Sequence, residues 1–189
     1  MNTATLQRME KALAGAGKGD PPAFAEIVRE YQAMVFGMAY HFLQDQSLAE
    51  DVSQEVFLRL YQNLAAIQSS AHLMLWLRKV THRRCIDEAR RAPSRPTLSL
   101  EEAPEPASNP GTSDPLLGQK LRRLVASLPE DARMVVILRF QEELGLAEIA
   151  EVLDIPINTV KSRLQRSLAV LREKVTSTLE MSAYERPRE

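Results

Sequence analysis

A proline-rich segment near the middle of the sequence divides the chain into two pieces. Six of the eleven prolines fall between positions 92 and 115, among serines and acidic residues. Proline lacks a backbone donor, and few side chains here could bury enough apolar area to offset the entropy lost on ordering. We therefore predict a flexible linker at 93–115 that joins two small domains, at 20–92 and 116–176.

The first piece has the apolar spacing of helices. Three glycines near the start favour a flexible lead at 1–19, after which Pro21 and Pro22 suit a first helical turn. A capping box formed by Ser47 and Glu50 predicts the start of a second helix. The predicted helices run from Asp20 to beyond Met38, from Ser47 to about Ala66, and from about Ala71 to Arg91.

The second piece is predicted to contain a helix-turn-helix. A helix should start near Leu116 and another after a capping box that begins at Ser127, so that residues 134–138 form a buried helix rather than a strand. Two further helices, at 146–153 and 158–175, flank a short turn, and 177–189 form a polar tail. The predicted fold class is all-α, with two small helical domains.

Composition excludes several classes of protein. One cysteine and three histidines cannot form a disulfide framework or a closed four-ligand metal site, and Cys85 is better explained as a packing residue than as a redox sensor. We find no paired catalytic carboxylates, nucleophile elbow or phosphate-binding glycine loop, so we expect no catalytic residues and no cofactor. No apolar run approaches the ~20 residues that span a bilayer. We expect no membrane insertion and a cytoplasmic location.

The net charge of −1 conceals a strong segregation of charge along the chain. Residues 61–99 carry a net charge of +5, whereas residues 1–60 carry −3 and residues 100–115 carry −4. A basic segment within a nearly neutral chain is compatible with a nucleic-acid binder.

The last predicted helix has one apolar face and one polar face. Val160, Leu164, Leu168, Leu171 and Val175 share a single sector, which predicts the buried side. Short polar and arginine side chains on the other side suit major-groove reading, although an ordinary helical hairpin with a solvated face is the alternative. Ser162, Gln165 and Arg166 are the base-edge candidates, Lys161 and Arg163 are the phosphate candidates, and Asn158 lies on the same side.

The second predicted helix carries an unusual outward face. Its apolar stripe recurs every four residues from Leu48 to Leu64, and the opposite side carries Asp51, Gln54, Glu55 and Leu58. A leucine rimmed by acidic and amide groups is typical of a patch that binds a basic partner helix. A merely solvated face is the alternative.

The third predicted helix is basic on its outward side. Trp76 lies with Leu73 and Leu77 in the apolar sector, and we interpret it as a core residue rather than a base-stacking platform. The basic side chains are more compatible with phosphate contacts than with solvent alone. This outward set consists of Arg78, Lys79, His82 and Ile86, with Arg83 and Arg90 beside them.

Taken together, these motifs resemble the extracytoplasmic-function group of bacterial sigma factors over about residues 20–92 and 116–175. Asp51-Val52-Ser53-Gln54-Glu55-Val56-Phe57 fits the D-x-x-Q-E-x-F segment of that family. Trp76-Leu77, Asp87 and Arg90-Arg91 fit the helix that reads the minus-ten element. Leu128-Pro129-Glu130, Glu148-Ile149-Ala150 and Thr159-Val160-Lys161-Ser162-Arg163-Leu164 fit the domain that reads the minus-thirty-five element.

The resemblance implies a function that composition alone does not give. It implies a sigma-2-type domain that binds the beta-prime coiled-coil of core RNA polymerase, a sigma-4-type domain that contacts promoter DNA, and a further contact with the beta subunit. The loop from about Ala65 to His72 would accept a flipped base, which brings Ile67 and His72 into the minus-ten set, and Thr159 joins the minus-thirty-five set. Relatives often carry phenylalanine at the positions of Ile67 and Leu73 and asparagine at that of Arg83. The family also implies control by an anti-sigma factor.

Two other functions stay open at the level of sequence. A free-standing helix-turn-helix regulator would explain the second piece, but not the acidic face with Leu58 or the basic third helix. A helical adaptor that binds proteins and never DNA is the other alternative.

Overall fold

A computed structural model describes residues 3–91 and 115–184, with side chains described for residues 4–91 and 118–176. The described residues form helices and the turns between them, which confirms the all-α prediction. They divide into two compact units, one on each side of the proline-rich segment. The predicted linker at 93–115 lies outside the described residues except for Pro115.

The N-terminal unit is a bundle of four helices. They are α1 (Thr3–Ala16), α2 (Pro21–Leu43), α3 (Gln46–Asn63) and α4 (Ser70–Arg91), with a short 3-10 helix (Leu64–Ala66) after α3. Helix α2 packs against the other three, and α4 also packs against α3 and α1. The fully buried core includes Ile27, Val35, Met38, Phe42, Val56, Leu60, Leu73 and Leu77.

The predicted flexible lead at 1–19 was wrong, because most of it forms α1. Met9, Ala12, Leu13 and Ala16 recur at helical spacing and are all buried. Gly15 allows the end of α1 to approach α2 closely, since a Cβ at this position would lie 2.8 Å from the Cβ of Ala23. An apolar stripe on α1 thus stabilises a helix that the glycines in the sequence seemed to oppose.

Two helix starts differ from the predicted capping boxes. The carboxylate of Asp45, not Ser47, caps α3 by accepting the backbone N–H of Leu48 at 2.9 Å. Ser127 does not cap the following helix either, since its hydroxyl donates to the carbonyl of Leu124 at 2.7 Å. At α3 a neighbouring carboxylate takes the role of the cap, whereas the helix that follows Ser127 begins after Pro129 without a side-chain cap.

The C-terminal unit contains the predicted helix-turn-helix. Its helices are α5 (Pro115–Ala126), α6 (Glu130–Phe140), α7 (Leu146–Leu153) and α8 (Ile157–Tyr184). Residues 134–138 of α6 are all buried, as predicted for a core helix, and α6 packs against α7 and α8, where Ile149 and Val160 are buried too. Helix α8 extends beyond the predicted end at 175 into the segment expected to be a polar tail.

The turn of the helix-turn-helix depends on local backbone geometry. The N-cap of α7 is Gly145, whose N–H donates to the Glu148 carboxylate at 2.7 Å, and its C-cap is Asp154, in the left-handed region with a φ of 55°. The carbonyl of Pro156 then accepts the N–H of Thr159 at 2.8 Å and opens α8. These contacts fix the direction in which α8 leaves the turn.

Candidate polymerase and nucleic-acid interfaces

The outward side of α3 exposes the predicted acidic and apolar residues together. Asp51 and Gln54 are exposed, and Leu58 is 58% exposed although it is an aliphatic residue. Tyr61, one turn further along, is 57% exposed, and its ring packs edge-on against Phe24 with the centroids 5.2 Å apart. We call Asp51, Gln54, Leu58 and Tyr61 the acidic face of α3. Sequence reasoning missed Tyr61, whose spacing of three residues from Leu58 is the signal.

Glu55, predicted in the same set, is held inside the N-terminal unit. Its carboxylate accepts hydrogen bonds from Arg84 of α4 and, at 2.8 Å, from Arg59. Arg84 is buried, and its other terminal nitrogen lies 3.4 Å from Asp87. Glu55 is therefore a link between α3 and α4 as well as a half-exposed residue beside the acidic face.

Sequence reasoning missed the role of Arg84. This arginine continues the buried stripe of α4 formed by Leu77 and Thr81, so its helical position was the available signal. Next to it, burial raises the pKa of the Cys85 thiol to about 12, against a smaller opposing effect of the Arg84 charge. A thiol of this kind is an inert packing group at neutral pH, as the sequence predicted.

The residues predicted for the basic side of α4 differ in exposure. Arg83 and Arg90 are exposed, while Lys79, His82 and Ile86 are half-buried. Arg78 is half-buried as well, and its Nε atom is buried. The pKa of the buried Tyr31 is raised chiefly by burial and also by Glu30, whereas the nearby Arg78 guanidinium lowers it. Arg78 thus lies on the flank of α4 that faces α2, where the helical pattern alone did not place it.

The loop between the 3-10 helix and α4 is held by local hydrogen bonds. The N–H of Gln68 donates to Nδ1 of His72 at 3.3 Å, and the N–H of His72 donates to the hydroxyl of Ser69 at 3.1 Å. Ile67 is only 8% exposed, because its side chain belongs to the packed interior. In this arrangement of the loop Ile67 offers little side-chain surface, whereas His72 is half-buried.

The outward side of α8 carries most of the predicted recognition residues. Asn158, Lys161, Gln165 and Arg166 are exposed, and Thr159 and Ser162 are half-buried. Nε of Arg166 donates to the carbonyl of Ser162 at 3.1 Å, which folds this side chain back along the helix. The Ser162 hydroxyl donates to the carbonyl of Thr159 at 3.0 Å.

Arg163, a predicted phosphate contact, is engaged within the C-terminal unit. Its guanidinium lies 2.7 Å from the Asp131 carboxylate on α6, and its side chain is 26% exposed. The ion pair ties α8 to the first turn of α6, where an acidic residue is also favoured by the helix dipole. Arg163 consequently positions α8 in addition to lying beside its outward face.

The described residues offer neither a metal site nor a membrane-spanning helix. Within 3–91 and 115–184, His, Cys, Asp and Glu side chains form no group that could hold a metal ion. No helix in that part of the chain is long and apolar enough to cross a membrane.

In a comparison with known proteins, each of the two units matches a protein family. Residues 27–95 match the family described as "Sigma-70 region 2", and residues 118–171 match "Sigma-70, region 4". The chain is 29% identical over 184 residues to the ECF RNA polymerase sigma factor SigW of Bacillus subtilis, a match that covers 88% of this chain and 96% of that protein.

A second relative has a similar sequence, and a solved structure has a similar fold. The ECF RNA polymerase sigma-E factor of Escherichia coli K12 is 31% identical over 173 residues, which cover 84% of this chain and 89% of that protein. The fold is similar to that of the sigma factor RpoE from Bartonella quintana, solved with the anti-sigma factor NepR. That likeness has a TM-score of 0.66 at 18% identity and covers 81% of this chain and 96% of the other. The chain belongs to the extracytoplasmic-function group of the sigma-70 family.

Proposed function

We propose that this protein binds core RNA polymerase, directs it to promoter DNA and helps to open the duplex. The observation that carries the proposal is the accessible acidic face of α3 in the same unit as the basic side of α4. An acidic patch that contains an exposed leucine fits a basic protein partner, and a row of cations fits phosphates. The polymerase would supply all of the bond-making chemistry, and this chain would act in the cytoplasm as a regulator, not as an enzyme.

The acidic face of α3 would contact the polymerase. Leu58 is the natural anchor, because it exposes an apolar side chain on the same side of α3 as Asp51 and Gln54, and Tyr61 extends the apolar area. Interface hot spots combine an apolar or aromatic centre with a polar rim in this way. We expect the beta-prime coiled-coil to dock here, with Glu55 contributing through the oxygen surface that Arg84 and Arg59 leave accessible.

Helix α4 and the loop before it would contact the minus-ten element. Arg83 and Arg90 are exposed and suited to phosphates, and Lys79 and His82 lie beside them. His72 lies at the edge of the loop where an unstacked base would be received, a step that costs a few kcal/mol of stacking energy. The half-buried Arg78 would flank this surface, and Ile67 would support it from within the unit.

Helix α8 would read the minus-thirty-five element in the major groove. Gln165 and Arg166 are exposed and have the side chains that pair with base edges, while Lys161 suits a phosphate. Ser162, Asn158 and Thr159 lie near the start of the same helix. The hydrogen bond from Arg166 to Ser162 would be exchanged for contacts with DNA. The C-terminal unit would also provide the contact with the beta subunit.

We further propose control by an anti-sigma factor. The Bartonella quintana protein with a similar fold was solved in complex with such a factor. A partner that covers the basic side of α4 or the outward side of α8 would block DNA binding by occupying the same charges. Co-purification of a protein that is displaced when holoenzyme forms would support this control.

Reconstitution with core polymerase tests the main proposal. The chain should convert core enzyme into a form that initiates at defined genomic sites, and mapping the transcript starts should show shared upstream sequence at two positions. Replacement of Leu58 by alanine should weaken binding to core about tenfold, or about 1.4 kcal/mol.

A matched substitution controls for the loss of an exposed leucine. Leu6 on α1 is 37% exposed, and L6A should bind core within about twofold of the wild type. Equal affinities of L58A and wild type for core polymerase would contradict the assignment of the acidic face of α3. Transcription that starts at random in the presence of the chain would contradict promoter recognition itself.

A further inference from the structure

Helix α1 lies outside the matched sigma-70 region 2 segment, yet it contacts the loop to which the proposed function assigns base capture. The family match begins at residue 27, whereas α1 ends at Ala16. Four buried residues hold α1 on α2 and α4, and Arg8 forms ion pairs with Glu26 and Glu30 of α2. Helix α1 is thus a fixed part of the unit and can transmit a positional constraint.

One side chain of α1 reaches the start of α4. Oε1 of Glu10 accepts the backbone N–H of Ser70 at 2.8 Å, across 60 residues of sequence. Ser70 is the first residue of α4 and is only 3% exposed, so this N–H is one of those that α4 itself leaves without a partner. Hydrogen bonding from Ser70 also holds the pKa of the Glu10 carboxyl below its usual value.

The same short stretch contains two further hydrogen bonds that involve side chains. Ser69 accepts the N–H of His72, and His72 accepts the N–H of Gln68. The bond from Ser70 to Glu10 therefore joins distant parts of the chain, whereas the other two hydrogen bonds are local. A local set of this kind is weak without an anchor, because each bond is partly exposed to water and competes with it.

We propose that Glu10 is a positioning residue that fixes the loop at 67–72 in the form able to receive an unstacked promoter base. This inference rests on the proposed function of the loop. Glu10 does not touch DNA in this role; it caps α4 and sets where Ser69 and His72 lie. A contact from outside the matched region would then tune how strongly a base is captured.

The test compares two DNA probes bound by holoenzyme. The probes are single-stranded non-template oligonucleotides from a minus-ten element found by transcript mapping, one intact and one with an abasic site at the captured position. The dissociation constant of the abasic probe divided by that of the intact probe measures base capture alone. A general loosening of the N-terminal unit changes both constants equally and leaves this ratio unchanged.

Three variants define the expected result. E10A removes the acceptor and should reduce the ratio about fivefold, which is the size of effect that a helix cap contributes. E10Q keeps a carbonyl acceptor without the charge and should reduce it only about twofold. Q7A, at an exposed position on the same helix, should leave the ratio at the wild-type value. Affinity for core polymerase should be equal in all three.

Each outcome decides a different question. An unchanged ratio in E10A overturns the positioning role, and if E10A does not fold, an unchanged ratio in E10Q overturns it. A wild-type holoenzyme for which no abasic position weakens binding would instead refute base capture, and with it that part of the proposed function.

Discussion

Replacement of Arg84 by methionine tests how much the link between α3 and α4 stabilises the N-terminal unit. Methionine retains most of the apolar stem but leaves Glu55 without its partner on α4. The Arg84 side chain is 7% exposed and that of Glu55 is 34% exposed. Breaking a fully buried pair costs about 3–5 kcal/mol, whereas exposed pairs contribute about 0.2–1 kcal/mol. We therefore expect R84M to lower the free energy of unfolding by about 1.5 kcal/mol.

Urea denaturation followed by the fluorescence of Trp76 measures this change. Trp76 is the single tryptophan and lies on α4, so the signal reports the N-terminal unit without the C-terminal one. With an m-value of about 1 kcal/mol/M, the midpoint should fall by about 1.5 M. R59M is the matched control, since Arg59 binds the same carboxylate from an exposed position and its loss should cost only about 0.3–0.5 kcal/mol.

A double-mutant cycle isolates the pair itself. R84M should cost less in an E55Q background than in the wild type, with a coupling energy of about 1 kcal/mol. If R84M and R59M shift the midpoint equally, or if the cycle shows no coupling, the reasoning from burial is refuted.

Three further changes test other parts of the molecule. G15A should destabilise the N-terminal unit by about 1 kcal/mol in the same urea assay, because overpacking against Ala23 outweighs the gain in helix propensity. G17A is the control and should be neutral, since its Cβ would be 3.4 Å from the nearest neighbour. Equal urea midpoints for G15A and G17A would contradict the close approach of α1 to α2. Cys85 should react with a thiol reagent at pH 8 only after unfolding, and rapid labelling of the folded protein would count against this. Because the pKa of Cys85 is raised in the folded state from 9.0 to about 12, its stabilising contribution should be lost as the pH rises through that range. An equal loss of stability in C85A over the same range would contradict this second expectation. R166A should relax specificity at one base pair of the minus-thirty-five element by about 1–3 kcal/mol without changing the fold. R172A, further along α8, should leave that specificity unchanged. A uniform loss of affinity of R166A for all sequences would argue against base reading.

The sequence alone predicted those features that depend on neighbours along the chain. The bounds of α7, the helical state of residues 134–138 and the exposure of Asp51 and Leu58 all follow from apolar spacing over a few turns. Such spacing fixes which side of a helix is buried, since one helical face must leave water whatever the helix packs against. The two-unit, all-α organisation follows from the same patterns, interrupted by proline.

The tertiary structure decided which partners the polar residues take. Arg84 reaches Glu55 across 29 residues and Glu10 reaches Ser70 across 60, and Arg163 pairs with Asp131 on another helix. The packing of the N-terminal unit also leaves Arg78 half-buried and buries Ile67, although the helical pattern placed Arg78 on the outward side and the resemblance placed Ile67 at the DNA. Helical periodicity describes one helix at a time, whereas an ion pair or a cap depends on which helices meet and at what distance. For that reason the sequence indicated the faces of this protein, and only the packed bundle determined which charges on those faces remain available to a partner.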